Sequence, residues 1–171
     1  MQRHLLRNTL ILPLFLLVAC QGYDFTVNER VVYSPPPLFR DFALADEALR
    51  DCVMQLIADE RITRVEQLVT LNCSHAGIES LDGLDVFSSL GSLRLSANRV
   101  RNLLALSALP ELEQLYLDDN RVIDPVPLYS LEKLQTLDLS GNPGLQCPDP
   151  GALQQVAQLA LPSHCDNRDQ G

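Results

Sequence analysis

The stretch LEQLYLDDNRV, residues 112–122, places apolar side chains at Leu112, Leu115, Leu117 and Val122, with Asn120 among them. That spacing fits neither a helical stripe nor an unbroken strand. Sliding the chain over itself explains it. Leu71, Leu93, Leu115 and Leu137 recur every 22 residues, and Leu68, Leu90, Leu112 and Leu134 keep the same step. So do Cys73, Leu95, Leu117 and Leu139, and likewise Asn98, Asn120 and Asn142. Several registers agreeing over successive copies are far harder to obtain by chance than one short motif. A fixed period of this length marks a stack of repeated units.

These positions match the pattern L-x-x-L-x-L-x-x-N-x-L. On them the chain resembles the leucine-rich repeat family in its short bacterial form, over roughly residues 42–147. The resemblance implies an α/β fold, a short curved solenoid with a parallel sheet on its concave side. Within LYLDD, strand alternation turns Leu115 and Leu117 inward and Tyr116 out onto the concave face. Asn120 falls where the chain must turn, and its amide can satisfy backbone groups that the turn would strand inside the coil. Asn98, Asn120 and Asn142 then stack as a structural ladder. Ala76 stands in the first copy where the asparagine belongs, so that turn lacks its own ladder side chain. In the third copy the outer segment Asp124-Pro125-Val126-Pro127 forbids a regular helix and favours extended or 3₁₀ backbone.

A solenoid has apolar ends that need covering. At the front, ALADEALRDCVMQLIADE carries Leu49, Cys52, Val53 and Leu56 at helical spacing, and Thr63-Arg64-Val65-Glu66 reads as a capping box opening a second short helix. Residues 41–69 are therefore read as a helical N-terminal cap, 70–147 as the repeats, and 148–171 as a C-terminal cap and tail. At the back, Cys147 and Cys165 bracket GALQQVAQLALPSH, which reads as a short helix closed by a loop. A disulfide is expected between these two cysteines, closing 18 positions and contributing about 3 kcal/mol by the chain-entropy argument. Cys52 and Cys73 are either a second disulfide, if the cap helix lies on the first repeat, or two separate buried thiols.

Residues 1–20, MQRHLLRNTLILPLFLLVAC, have a basic start and an apolar run from Leu10 to Ala19, followed by polar sequence. The run is shorter than the roughly 20 apolar residues that a bilayer crossing needs, so it reads as a secretory signal over residues 1–19. Leu17-Val18-Ala19-Cys20 resembles the lipobox of bacterial lipoproteins, which implies a lipid on the Cys20 thiol, palmitate included, and cleavage just before it. An ordinary signal cut near Ala19 is the alternative. Acyl chains would then replace a membrane-spanning helix as anchor, at about 0.8 kcal/mol per buried CH₂. Gln21 in place of Asp points, by the same resemblance, to the outer membrane. Residues 20–40, with three prolines at 35–37, read as the lipidated cysteine and a tether. Phe25, Val27, Val31 and Val32 are too apolar for a simple solvated linker.

The chain has 13 basic and 22 acidic residues; removing the signal, with Arg3 and Arg7, leaves 11 basic and a net charge of −11. That balance excludes nucleic acid as a partner and electrostatic adhesion to anionic lipid. The chain carries no nucleophile elbow, phosphate loop, HExxH or dinucleotide fingerprint, so neither catalysis, a small-molecule substrate nor a cofactor is indicated. Cys73 with His75 and His164 with Cys165 lack a third metal ligand, and Asp118, Asp119 and Asp124 lack the spacing of a calcium loop. What remains is surface. The concave positions are Asn72, Arg94, Tyr116 and Asp138, flanked by Thr70, Ser92, Gln114, Thr136 and by Ser74, Ser96, Asp118, Ser140. Arginine and tyrosine are enriched among residues that dominate protein interfaces. The expected partner-binding set is Asn72, Arg94, Gln114, Tyr116, Asp118 and Asp138, for a protein partner.

Overall fold

The computed structural model describes residues 25–27 and 30–165, and the chain divides into two units, residues 1–36 and 37–171. The expectations placed on the signal segment and Cys20 lie outside the described residues. In the smaller unit, β1 (Phe25–Val27) pairs antiparallel with β2 (Arg30–Tyr33). The segment read above as a tether thus contains a hairpin, in keeping with its aromatic and β-branched residues.

In the larger unit each 22-residue step of sequence is one coil. β3 (Thr70–Asn72), β4 (Ser92–Arg94), β5 (Gln114–Tyr116), β6 (Thr136–Asp138) and β7 (Gln158–Ala160) form one parallel sheet in chain order. Leu71 pairs with Leu93, Leu93 with Leu115, Leu115 with Leu137, and Leu137 with Leu159. The leucine columns seen in the sequence are therefore columns in space, and those of the first four strands are buried. Each such side chain contributes on the order of 1.5–3 kcal/mol by leaving water.

β7 corrects the reading of the C-terminal segment. In place of a short helix, residues 150–155 form turns and the chain then adds a fifth strand. Val156, Leu159 and Leu161 lie one period beyond Leu134, Leu137 and Leu139. Asp149-Pro150-Gly151, with Gly151 at φ +88°, breaks any helix. The strand is then tied to β6 by Leu139 N–H donating to Ala160 O (2.8 Å).

The outer return of each coil uses 3₁₀ turns, at Leu84–Val86, Leu104–Ala108 and Val126–Ser130. Pro125 starts the last of them and is itself buried, one period beyond the buried Leu81 and Leu103. Before these turns stands another column. Ser80 Oγ, Asn102 Oδ1 and Asp124 Oδ1 accept from the backbone N–H two residues on, at 3.1, 2.9 and 2.9 Å. Such side-chain-closed turns suit these short polar residues.

The front cap is helix α1 (Glu47–Glu60), which buries Leu49, Val53 and Ile57. Asp46 caps it, accepting from Leu49 N–H at 3.1 Å. The Cys52–Cys73 disulfide links α1 to the residue after β3, with a Cα separation of 5.9 Å. The second helix is not formed; a single 3₁₀ turn, Val65–Gln67, takes its place. The side chain that closes it is Gln67 and not Glu66, its Oε1 accepting from the N–H groups of Thr63 (2.9 Å) and Arg64 (3.0 Å). A longer helix has no room, because Leu68 must already enter the core ahead of β3. The cap also begins earlier than residue 41: Phe39 stacks on Phe42 (5.7 Å), which meets the buried Phe87 edge-on (5.3 Å).

Candidate functional site

The turn that follows each strand fixes where the concave side chains point. His75, Ala97, Asp119 and Gly141 occupy the same position in successive coils, and all are left-handed, at φ 59°, 54°, 53° and 67°. The next residue is the asparagine of the repeat. Asn98 Nδ2 donates to the carbonyls of Cys73 and Leu95, both at 2.9 Å, while its Oδ1 accepts from Ala76 N–H (3.1 Å) and Ile78 N–H (3.0 Å). Asn120 donates to Leu95 O (2.8 Å) and Leu117 O (3.1 Å) and accepts from Val100 N–H (2.9 Å). Asn142 does the same with Leu117, Leu139 and Val122, each at 2.9 Å. Each amide ties its own coil to the preceding one, so the Ala76 turn is held from the next coil by Asn98. One period after Asn142 stands His164, whose Nε2 donates to Leu145 O at 3.0 Å.

On the sheet so held, Asn72, Arg94, Tyr116 and Asp138 stand side by side in strand register. The Arg94 guanidinium lies over the Tyr116 ring, 3.8 Å from its centroid. Around this pair the acceptors are satisfied within the face. Asn72 Oδ1 accepts from Ser74 Oγ (2.8 Å), Asp138 Oδ1 from Ser140 Oγ (2.6 Å), Asp118 Oδ1 from Ser96 Oγ (2.6 Å), and Gln114 Oε1 from Ser92 Oγ (3.2 Å). Arg94 is exposed and, among the described residues, makes no hydrogen bond or ion pair through its guanidinium. The face is thus a rigid, mostly satisfied sheet with one cation resting on an aromatic ring at its centre, and its N–H edges are open to solvent.

Among the described residues, one group has metal-ligand proximity: the side chains of Cys147, His164 and Cys165 bring ligand atoms within 4.8 Å of one another. Both sulfurs are committed to the Cys147–Cys165 disulfide (Cα separation 5.4 Å), which leaves no thiolate to coordinate. Cys73 is likewise in a disulfide, and His75 serves the left-handed turn. Asp118, Asp119 and Asp124 do not act together, since the first accepts from Ser96, the second sits at the turn, and the third closes the outer loop.

A residue that the repeat pattern does not reveal is Asp46. Besides capping α1, its Oδ2 accepts from the N–H groups of Glu79 (2.8 Å) and Ser80 (3.1 Å), clamping the cap to the first outer loop. Burial pushes its carboxyl up, but hydrogen bonds from the backbone of Glu79, Leu49, Ser80 and Ala48 outweigh that and hold it below its ordinary value. Its position immediately before an apolar helical run is the sequence signal for a helix cap. The distant half of the clamp has no such signal.

No protein-family model and no curated protein matches this chain. Among solved structures it is similar to an internalin, InlF of Listeria monocytogenes, with a TM-score of 0.61 and 22% identity, covering 69% of this chain and 36% of that one. Internalins are leucine-rich repeat proteins. The fold is a leucine-rich repeat solenoid. Similar too are internalin C2 of the same organism (TM-score 0.43, 29% identity, 50% of this chain and 37% of that one) and the functional domain of its InlJ, which includes a cysteine ladder (0.43, 24%, 58% and 26%). The chain therefore spans between about a quarter and a little more than a third of the length of these solenoid proteins. Among the described residues no helix is long and apolar enough to cross a membrane.

Proposed function

We propose that this chain is a non-catalytic protein-binding module, anchored in a bacterial cell envelope by lipid on Cys20 and presenting its concave sheet to a protein partner. The observation that carries the reading is the Arg94–Tyr116 pair, a cation on an aromatic ring at 3.8 Å in the middle of an otherwise satisfied face. A guanidinium already held by a ring loses little freedom on meeting a carboxylate, and such residues dominate interface energies. Asn72, Gln114, Asp118 and Asp138 form the polar rim. The anchor rests on the LVAC sequence, and the Gln21 that follows supports the outer membrane, facing the periplasm or the surface.

Photocrosslinking tests the face: a benzophenone side chain placed at Ser92 or Thr136 should capture one discrete partner in living cells. Adding Arg94→Ala with Tyr116→Ala should abolish that adduct, and an adduct that survives the double substitution defeats the reading. Mass spectrometry of the membrane-fraction amino terminus tests the anchor, with an acylated Cys20 expected.

A second reading has its own observation. Leu104 and Val126, one period apart on successive outer turns, are 65% and 57% exposed. An apolar pair beside Pro125 and Pro127 favours a structural lipoprotein that packs into a larger assembly through its convex side. Crosslinks from those two positions, with none from Ser92 or Thr136, would select it.

A further inference from the structure

One patch on this acidic chain has the opposite charge. Arg99 and Arg121 occupy the same position in adjacent coils, each directly after a ladder asparagine, and Arg101 follows Arg99 by two residues. All three are exposed. They line an open groove of about 450 Å³, with Ile123 and Pro143 as apolar lining and Glu79 as its one acidic residue. The backbone beneath is fixed coil to coil, Arg99 N–H donating to Ile78 O (2.8 Å) and Arg121 N–H to Val100 O (3.0 Å).

Neighbouring chains in such a stack run about 4.7–4.9 Å apart, so the two guanidinium stems start one coil apart, where like charges repel. Arg99 shares Glu79 at 3.3 Å, with both side chains more than half exposed (56% and 65%), a pairing of little strength. Among the described residues, Arg101 and Arg121 have no acidic partner. This occurs in a chain with 22 acids for 13 bases.

We propose that this groove is a second docking site, separate from the concave face, and that it takes an extended peptide segment bearing carboxylate side chains. Guanidinium forks match carboxylates two bonds at a time. Its shape suits a chain more than a free ion. Through Arg101, Glu79 and Ile123 it continues into a second groove of about 490 Å³ lined by Ser80, Asp82, Asn102, Asp124 and Pro127, whose two aspartates confine the segment's carboxylates to the arginine end. An anionic bilayer is disfavoured as occupant, because the chain's net charge of −9 repels a broad negative surface while three guanidiniums attract a narrow one.

An array of random twelve-residue peptides, probed with the purified full-length protein, tests this. An acidic protein left to non-specific attraction would select basic peptides, so selection of acidic ones is diagnostic. Bound peptides should hold Asp and Glu in about tenfold excess over Lys and Arg, the scale of one charge-assisted pair. In a background carrying Arg94→Ala with Tyr116→Ala, which removes the concave cation, an acidic excess should persist, and adding Arg99→Ala with Arg121→Ala should erase it, which separates this site from the concave one. Thermal melting confirms that both variants fold. Absence of bound peptides, no acidic excess, or an excess that survives the Arg99/Arg121 variant overturns the proposal. Flotation should be no greater with phosphatidylglycerol vesicles than with phosphatidylcholine vesicles, whatever the anchor contributes, and an excess on phosphatidylglycerol that is lost in the same variant would assign the groove to a lipid headgroup instead.

Discussion

At the scale of single residues, Asn120 shows how a polar side chain can be part of a leucine core. It is 5% exposed and engages the carbonyls of Leu95 and Leu117 and the N–H of Val100. Asn120→Ala would orphan the Val100 N–H, worth about 1–3 kcal/mol when buried without a partner, while the Leu95 and Leu117 carbonyls each keep a second donor, Asn98 and Asn142. Some of that is recovered if water enters, so a loss of about 1–2 kcal/mol is expected, seen as a lower urea midpoint at an unchanged slope. The ladder is legible in the sequence because the same side chain recurs at one period. The turn residue just before it is not. His75, Ala97, Asp119 and Gly141 share a left-handed backbone but no chemistry, and glycine alone among them adopts it without strain. At Gly141 a Cβ would also strike the Asp119 carboxylate, so the shared geometry is visible only once the coils are stacked.

Among elements, helix α1 is held to the repeats by the Cys52–Cys73 bond at its middle and by Asp46 at its start. Because the folded Asp46 carboxyl lies below its ordinary pKa, its stabilisation is fully present above the unfolded value, about 4, and is lost as pH falls through the folded one. Asp46→Asn keeps a good helix cap while removing the charge. The variant should therefore be less stable than the parent at pH 7, with the gap closing below about pH 4, as read from urea midpoints at both pH values. An equal gap at both would show that geometry, not charge, holds the cap. The elements also show where reading by period succeeds and where it stops. α1 is legible in the spacing of Leu49 and Val53, whereas Val156, Leu159 and Leu161 continue the period inside a segment whose sequence reads as a short helix. They lack a following asparagine, His164 standing in its place, and a two-cysteine bracket suggested a closed cap. Alternation along the strands suffices to put Asn72, Arg94, Tyr116 and Asp138 at one register position. That Arg94 rests on Tyr116, and that serines occupy the neighbouring acceptors, required the strands' spacing and rotamers.

For the molecule as a whole, stacking makes stability a matter of neighbours: each coil is held by the one before and the one after. The central strands have both. β7 is paired only with β6, and Leu159 is 42% exposed where Leu71, Leu93, Leu115 and Leu137 are at most 1%. Hydrogen exchange should thus be graded along the stack. The Leu95 and Leu117 amides, which donate to Tyr116 O (2.9 Å) and Asp138 O (2.8 Å), should outlast that of Leu139, whose acceptor is Ala160 in the last strand. Reducing Cys147–Cys165, which closes 18 positions, removes about 3 kcal/mol from the last coil's side of the balance. Protection at Leu139 and Gln158 should then fall first, before Leu95 responds. A uniform fall across all five strands would mean that the coils open as one unit and that the neighbour picture is wrong. If the gradient holds, Arg94, Tyr116, Arg99 and Arg121 all sit on or between the two most protected coils. Both proposed binding surfaces would then be presented by backbone that stays closed when the end of the stack frays, so partner binding should survive reduction of the C-terminal disulfide even as the last coil opens.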